Sequence, residues 1–209
     1  MSGRGGGMTI RSPAAFVRFH FLKLFRMMIV GFVAFTMLDA ITPGSHTYHF
    51  MDIVAQMGMF NNLLPTPDRI IWPGPYWFFG LMLQLYIVYR LLLFRRHWAV
   101  TVGLMVVCTV IQMACDPESE ALNRWRYNFV GGMLPFGAGL LYARYATGLL
   151  SWRDGVGHAR FDTLNLMVSV VLIFLLSFTY WTWYLVPLCV CSASIACVRL
   201  VGETPWLAG

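Results

Sequence analysis

Long apolar runs, separated by short polar stretches, dominate this chain. The longest runs from Thr163 to Val198, 36 residues without one Asp, Glu, Lys or Arg side chain. A single membrane-spanning helix needs about 20 apolar residues, so this run predicts two helices with a tight return between them. The aromatic stretch Tyr180–Tyr184 is the predicted return, because aromatic side chains favour the membrane surface.

The gaps between charged residues predict six such helices in all. The predicted spans are Phe21–Ile41, Pro75–Phe94, Trp98–Cys115, Asn128–Ala143, Thr163–Thr179 and Tyr184–Val198. The fold class predicted from this pattern is all-α, a polytopic transmembrane helix bundle of about six spans. In the loop 42–74, apolar residues recur at three- and four-residue steps and predict a short amphipathic helix. These residues are Phe50, Ile53, Val54, Met57 and Phe60.

Composition supports a membrane protein. The chain is 58% hydrophobic and 11% charged, with a mean hydropathy of +0.65, whereas a soluble domain has roughly 25% charged residues. The net charge of +6 is expected to reflect topology and contact with the lipid bilayer. No soluble domain is predicted that would carry a basic groove, so nucleic acid is not an expected partner.

The basic residues predict the orientation. With both termini in the cytoplasm, Arg69, Arg124 and Arg126 fall outside, and the other 12 of the 15 Lys and Arg residues fall inside. Basic residues accumulate in cytoplasmic loops. We therefore expect a multi-pass integral membrane protein. The expected location is the bacterial cytoplasmic membrane. The predicted divisions are a disordered Gly-rich tail at 1–15, a transmembrane domain at 16–201 and a C-terminal tail at 202–209.

Three cations near the first span are candidate ligands for an anion. At 100° per residue, Arg18, Lys23 and Arg26 project within an arc of about 140° on one helix face. One interpretation is an anchor whose cations reach lipid headgroups. The other is a basic mouth for a phosphorylated cytoplasmic donor. Both interpretations are compatible with the sequence.

No metal site and no catalytic residue is assigned from the sequence. His46 and His49 lie three residues apart near Asp52, but a third ligand at a telling spacing is missing. His20 and His97 lie at predicted inner helix ends. The five cysteines lack CxxC spacing and read as small packing residues. The common nucleophile, zinc-protease and phosphate-loop motifs are absent.

The fourth predicted span is rich in glycine. Gly139 and Ala143 form a small-xxx-small step, which predicts close packing against a neighbouring helix. With Pro135 in the same span, the alternative interpretation is a broken helix that lines a substrate cavity.

The stretch 72–96 is the most informative one. Two prolines and a glycine precede an aromatic cluster and an apolar helix that carries Gln84 and ends at Arg95 and Arg96. A buried amide needs a partner, so Gln84 is expected to face other helices. Tyr86, two residues on, is expected on a different side of the same helix.

These features resemble membrane acyltransferase family 3, multispan enzymes that O-acylate cell-surface sugars. The basic helix start at Phe16–Met28 is similar to the family's, and Trp77, Gln84 and Tyr86 match its strongest local motif. Met82 stands where family members commonly carry glutamate. The glycine-rich stretch Phe129–Tyr142 is similar to a later helix of the family.

The resemblance implies transfer of an acyl group from an acyl-CoA-type donor to a hydroxyl of a glycan or lipid-linked acceptor, with no bound cofactor. It implies donor or substrate binding at Arg18, Lys23, Arg26, Trp77, Gln84 and Tyr86. The chain would correspond to the middle of such an enzyme, truncated at both ends, and its activity alone is left open. The alternative is a non-catalytic multispan protein, either transporter-like or an assembly subunit.

Overall fold

The computed structural model describes residues 12–42, 49–64, 76–115, 125–156 and 158–202. Within these ranges every regular element is a helix, which confirms the all-α class. The first helix, α1, spans Pro13–Ile41. It begins at Pro13 because the Ser12 hydroxyl accepts a hydrogen bond from the Ala15 backbone at 3.3 Å, and proline suits the first helical position. The prediction of a tail through residue 15 is therefore wrong at residues 13–15, and residues 1–11 lie outside the described ranges.

The predicted amphipathic helix is present as α2, Phe50–Met57. A 3-10 turn at Asn61–Leu63 follows it. Between them the chain reverses at Met59, whose φ of 56° lies in the left-handed region. The Met59 side chain is nevertheless buried, so the reversal returns an apolar group to the interior.

The helix α3, Trp77–Val88, continues into a π-helical segment at Tyr89–Leu93. It is followed by α4, Trp98–Met113. Both agree with the predicted spans to within a few residues. The π-helical segment ends where the Phe94 backbone donates to the Tyr89 carbonyl at 2.7 Å, and Arg95 then takes a φ of 60°.

The remaining helices are α5, Phe129–Val156; α6, His158–Leu176; α7, Tyr180–Trp183; and α8, Val186–Gly202. The short helix α7 occupies the predicted aromatic return. The fourth span was predicted to end at Ala143, but α5 continues to Val156. Pro135 lies inside this continuous helix, so the broken-helix alternative is wrong. The final helix includes Gly202, the first residue of the predicted C-terminal tail, and residues 203–209 lie outside the described ranges.

The chain forms two compact units. The first contains the described residues up to Arg96 together with Tyr127–Phe129. Its core is a cluster of buried apolar side chains from α1, from the turn after α2 and from the residue before α3. The cluster consists of Leu24, Met28, Met59 and Tyr76. The helices α1 and α3 contact each other and form the principal helix pair of the first unit.

The second unit contains the described residues of 97–126 and those from Val130 onward. Its principal helix pair is α6 with α8. Two polar contacts join these helices. The Ser192 hydroxyl donates to the Asn165 side-chain oxygen at 3.0 Å, and Arg199 lies 3.9 Å from the carboxylate of Asp162. Asp162 is only 1% exposed, so this pair places a carboxylate inside the helix pair.

One described helix, α1, has both the length and the hydropathy needed to cross a membrane. Three other described segments are apolar but shorter, namely Trp77–Leu93, Trp98–Met113 and Val186–Val201. At 1.5 Å per residue, 17 residues extend about 25 Å, somewhat less than the roughly 30 Å hydrocarbon core.

Candidate functional site

Trp77 and Gln84 lie on one face of α3 and both contact the segment Tyr127–Phe129. The rings of Trp77 and Tyr127 have centroids 4.7 Å apart, and the Gln84 side-chain oxygen accepts a hydrogen bond from the Phe129 backbone at 2.9 Å. The two residues are seven positions apart, so they share a helix face. Of the predicted site residues, these two are brought together.

The Gln84 hydrogen bond satisfies a donor that the helix itself leaves unpaired. Phe129 is the first residue of α5, and the first four N–H groups of a helix have no acceptor within that helix. The half-buried Gln84 amide therefore gains the partner that an apolar environment requires. This confirms the prediction that Gln84 faces protein and finds a partner outside its own helix.

A cluster of buried amides supports the same segment. The Asn62 amide donates to the Tyr127 carbonyl at 3.0 Å, and the Asn61 amide donates to the Gln56 side-chain oxygen at 2.7 Å. Each of the three amides is at most 1% exposed. Sequence reasoning gave none of them a role. The sequence feature that could have indicated this role is that three uncharged amides occur close together, at and just after the end of the amphipathic helix.

Gly80 allows α3 to approach this amide cluster. A Cβ on Gly80 would collide with the Asn62 side-chain oxygen and would lie 2.7 Å from the Met59 carbonyl oxygen. Real Cβ atoms do not approach backbone oxygen so closely. The glycine is therefore required for space, and its role was also missed from the sequence.

Tyr86 points to another side of α3 and packs on His20 of α1. The centroids of these two rings are 4.3 Å apart, and the centroids of the Tyr86 and Phe16 rings are 6.5 Å apart. This confirms that Gln84 and Tyr86 face different sides of their helix. Tyr86 therefore packs against α1, whereas Trp77 and Gln84 contact the Tyr127–Phe129 segment.

The His20 ring is held by a hydrogen bond to its own helix. Its Nδ1 lies 2.9 Å from the Phe16 carbonyl oxygen. A carbonyl only accepts, so Nδ1 carries the proton, and in the neutral ring Nε2 is then the basic nitrogen. The sequence placed His20 at a helix end and gave it no role. The sequence feature that could have indicated its packing is Phe16, an aromatic residue four positions earlier on the same helix.

Arg18, Lys23 and Arg26 are exposed on the face of α1 that turns away from α3. The buried residues of this helix segment, Leu24 and Met28, lie about 180° around the helix from the centre of the cationic arc, at 100° per residue. Within the first unit, the cations therefore do not line a cavity shared with Trp77, Gln84 or Tyr86.

Other polar candidates serve the backbone. The Asp52 carboxylate accepts from the His49 backbone at 3.3 Å at the start of α2, and the His97 ring accepts from the Ala99 backbone at 3.3 Å at the start of α4. His46 lies outside the described ranges. Asp52 thus helps to begin a helix, which is an ordinary structural role for a carboxylate at that position.

In the second unit, the start of α5 is held by Gln112 of α4. Its amide donates to the Val130 carbonyl at 3.1 Å, and the Tyr184 hydroxyl donates to the Gln112 carbonyl at 3.2 Å. Farther along α5, Gly137 lies against the Met105 side chain. A Cβ on Gly139 would meet no atom within 4 Å, and Ala143 is exposed. The small-xxx-small packing predicted at these two residues is therefore wrong, since the glycine that contacts another helix is Gly137.

No protein-family model, curated protein or solved structure matches this chain. The resemblance to membrane acyltransferase family 3 accordingly stays a prediction made from the residues quoted above.

Proposed function

We propose that this chain is a multi-pass membrane protein with six spans, formed by α1, α3, α4, α5, α6 and α8, and with both termini in the cytoplasm. The support is the exposure of large apolar side chains along its helices. On α6, Leu164, Met167 and Phe174 are each more than 60% exposed. Apolar surface of this extent indicates contact with lipid or protein rather than water.

Cysteine labelling tests this topology. The five native cysteines are replaced by serine or alanine, and single cysteines are introduced at Ser2 and Gly209. Six spans require both positions to react with an impermeant maleimide only after the membrane is opened. Labelling of Ser2 and Gly209 from opposite faces would contradict an even number of spans.

Within that membrane domain, the proposed activity is acyl transfer from an acyl-CoA-type donor to a hydroxyl of a glycan or lipid-linked acceptor. The observation that supports it is the contact of Trp77 and Gln84 with the Tyr127–Phe129 segment. The hydrogen bond joins Gln84, in the stretch 77–86 that carries the resemblance, to Phe129, the first residue of the stretch 129–142. Residues 45 positions apart in the chain are therefore in direct contact.

The proposed chemistry needs a base for the acceptor hydroxyl. The hydroxyl oxygen attacks the thioester carbonyl, the carbon–sulfur bond breaks, and the coenzyme thiolate leaves. His20 Nε2 takes the hydroxyl proton and returns it to the thiolate, because Nδ1 is occupied by the Phe16 carbonyl. Tyr86, packed on the same ring, keeps the imidazole in place.

The test uses the full chain in nanodiscs. Binding of a non-hydrolysable acyl-CoA thioether is measured by calorimetry, and thiol release from acetyl-CoA is followed with hydroxylated glycan acceptors. Saturable thioether binding, with thiol release that His20→Gln abolishes, is the expected result. His97→Gln is the matched control, because His97 only begins α4. The absence of both binding and thiol release would contradict the proposed activity.

A second candidate is a non-catalytic membrane subunit. The observation that favours it is that the Trp77 ring and the Gln84 side-chain oxygen already contact the protein's own segment. In this role, the two side chains fix the start of α5 and bind no substrate. Thioether binding separates the candidates, because a purely structural subunit would bind none.

A further inference from the structure

The face of α1 that turns away from α3, which we call the outward face, divides into two parts along the helix. The first part carries the cations Arg18, Lys23 and Arg26, all exposed. The second part, on the same face, carries the apolar residues Val30 and Met37, which are 71% and 66% exposed. By helical geometry, both lie inside the arc that the cations define. The face thus changes from charged to apolar in the direction of Ile41.

The cations have no ion-pair partner among the described residues of the chain. Each is exposed, and the described acids of the first unit, Asp39 and Asp52, lie elsewhere: Asp39 near the other end of α1, and Asp52 at the start of α2. Three positive charges on one surface favour the binding of an anion.

Arg18 lies beside a shallow depression of about 430 Å³ on this face. The other lining residues are small or apolar: Ala14, Ala15, Phe19 and Leu22. A guanidinium next to apolar walls matches a ligand with an anionic head and a hydrocarbon body. A free nucleotide or a soluble anion would not use the apolar half.

The length of the apolar part fits a lipid tail. From Arg26 to Ile41, 15 further residues extend about 22 Å at 1.5 Å per residue. One leaflet contributes about 15 Å to a hydrocarbon core of roughly 30 Å. A chain that enters at the cations can therefore stay in contact with α1 across its own leaflet.

We infer that the outward face of α1 binds an anionic phospholipid, with the phosphate at Arg18, Lys23 and Arg26 and an acyl chain along Leu22, Val30 and Met37. This inference does not depend on acyl transfer. It assigns the cations to membrane lipid, so the phosphate of an acyl-CoA donor becomes the competing occupant in the test.

The experiment measures lipid binding to the full chain in uncharged detergent by native mass spectrometry. Phosphatidylglycerol and phosphatidylcholine of equal chain length are titrated separately. The test variant is Arg18→Gln, Lys23→Gln, Arg26→Gln. Each basic residue near an anionic surface contributes roughly fivefold in affinity, so this variant is expected to lose about 100-fold for phosphatidylglycerol and little for phosphatidylcholine.

The matched control is Arg95→Gln, Arg96→Gln, Arg160→Gln, which removes the same charge elsewhere and is expected to bind phosphatidylglycerol as the unaltered chain does. A single Arg18→Gln variant, expected to lose about fivefold, provides a check if the triple variant misfolds. Equal losses in the test and control variants would overturn the inference, because net charge alone would then explain binding. Displacement of the lipid from the unaltered chain by coenzyme A would also overturn it, in favour of a donor site.

Discussion

The side-chain oxygen of Gln84 accepts the hydrogen bond of the Phe129 backbone at 2.9 Å, so the middle of α3 holds the first residue of α5. Replacing Gln84 with methionine keeps the size of the side chain and removes the acceptor. The unpaired Phe129 N–H should cost about 1–3 kcal/mol of stability. Thermal unfolding in detergent measures this loss, and hydrogen exchange should accelerate at the Phe129 amide. Unchanged exchange there would show that the hydrogen bond does not form.

Gly80→Ala should destabilise the first unit by about 1–3 kcal/mol, the usual cost of overpacking. The added methyl group collides with the Asn62 side chain and the Met59 carbonyl. Gly103→Ala is the matched control, because nothing lies within 4 Å of a Cβ at Gly103 in α4. That control should gain up to about 1 kcal/mol from helix propensity. Similar unfolding temperatures for the two variants would contradict the close approach at Gly80.

Trp77→Leu should loosen the Tyr127–Phe129 segment, because it removes the ring that packs on Tyr127. Aromatic pairs contribute roughly 1 kcal/mol beyond the area they bury. Phe78→Leu serves as the comparison, since Phe78 is 47% exposed and should change stability little. Hydrogen exchange at residues 127–129 reports the difference directly. Faster exchange in the Phe78 variant than in the Trp77 variant would reverse the assignment.

Arg199→Gln should destabilise the α6–α8 pair by about 1–3 kcal/mol, because it removes the cation that lies 3.9 Å from the buried Asp162 carboxylate. Adding Asp162→Asn to this variant should recover part of the loss, since a neutral amide costs less to bury. Arg160→Gln removes an exposed charge from the same helix and should have little effect. Chemical unfolding of the unaltered chain, of Arg199→Gln and Asp162→Asn singly, and of the double variant completes a double-mutant cycle, and strict additivity would mean that the two residues do not interact.

The helices could be predicted because the long apolar runs of the sequence are separated by charged residues, prolines and glycines. Gln84 could also be predicted to need a partner, since an amide in an apolar run is costly to leave unpaired. The identity of that partner could not be predicted. Phe129 is 45 positions away in the sequence. Its hydrogen-bonding group is a backbone N–H, which every residue except proline has, so the residue type does not identify it as the partner.

The packing role of glycines was only partly predictable. The sequence indicated a glycine-rich helix at α5 but favoured Gly139, whereas the contact with Met105 is made by Gly137. Spacing identifies a small-residue step without showing which face meets a neighbour. Gly80 was less visible still, because its neighbours Asn62 and Met59 belong to a turn rather than to a regular helix.

The first unit includes Tyr127–Phe129, which follow α4 in the chain. During synthesis, α1, α2 and α3 therefore leave the ribosome before the residues that complete their unit. Until Phe129 has been made, the Gln84 oxygen and the Asn62 amide lack the backbone partners that they have in the finished fold. Folding of the first unit thus passes through a stage in which its first helices lack a later segment, and a stall in translation within α4 would prolong that stage.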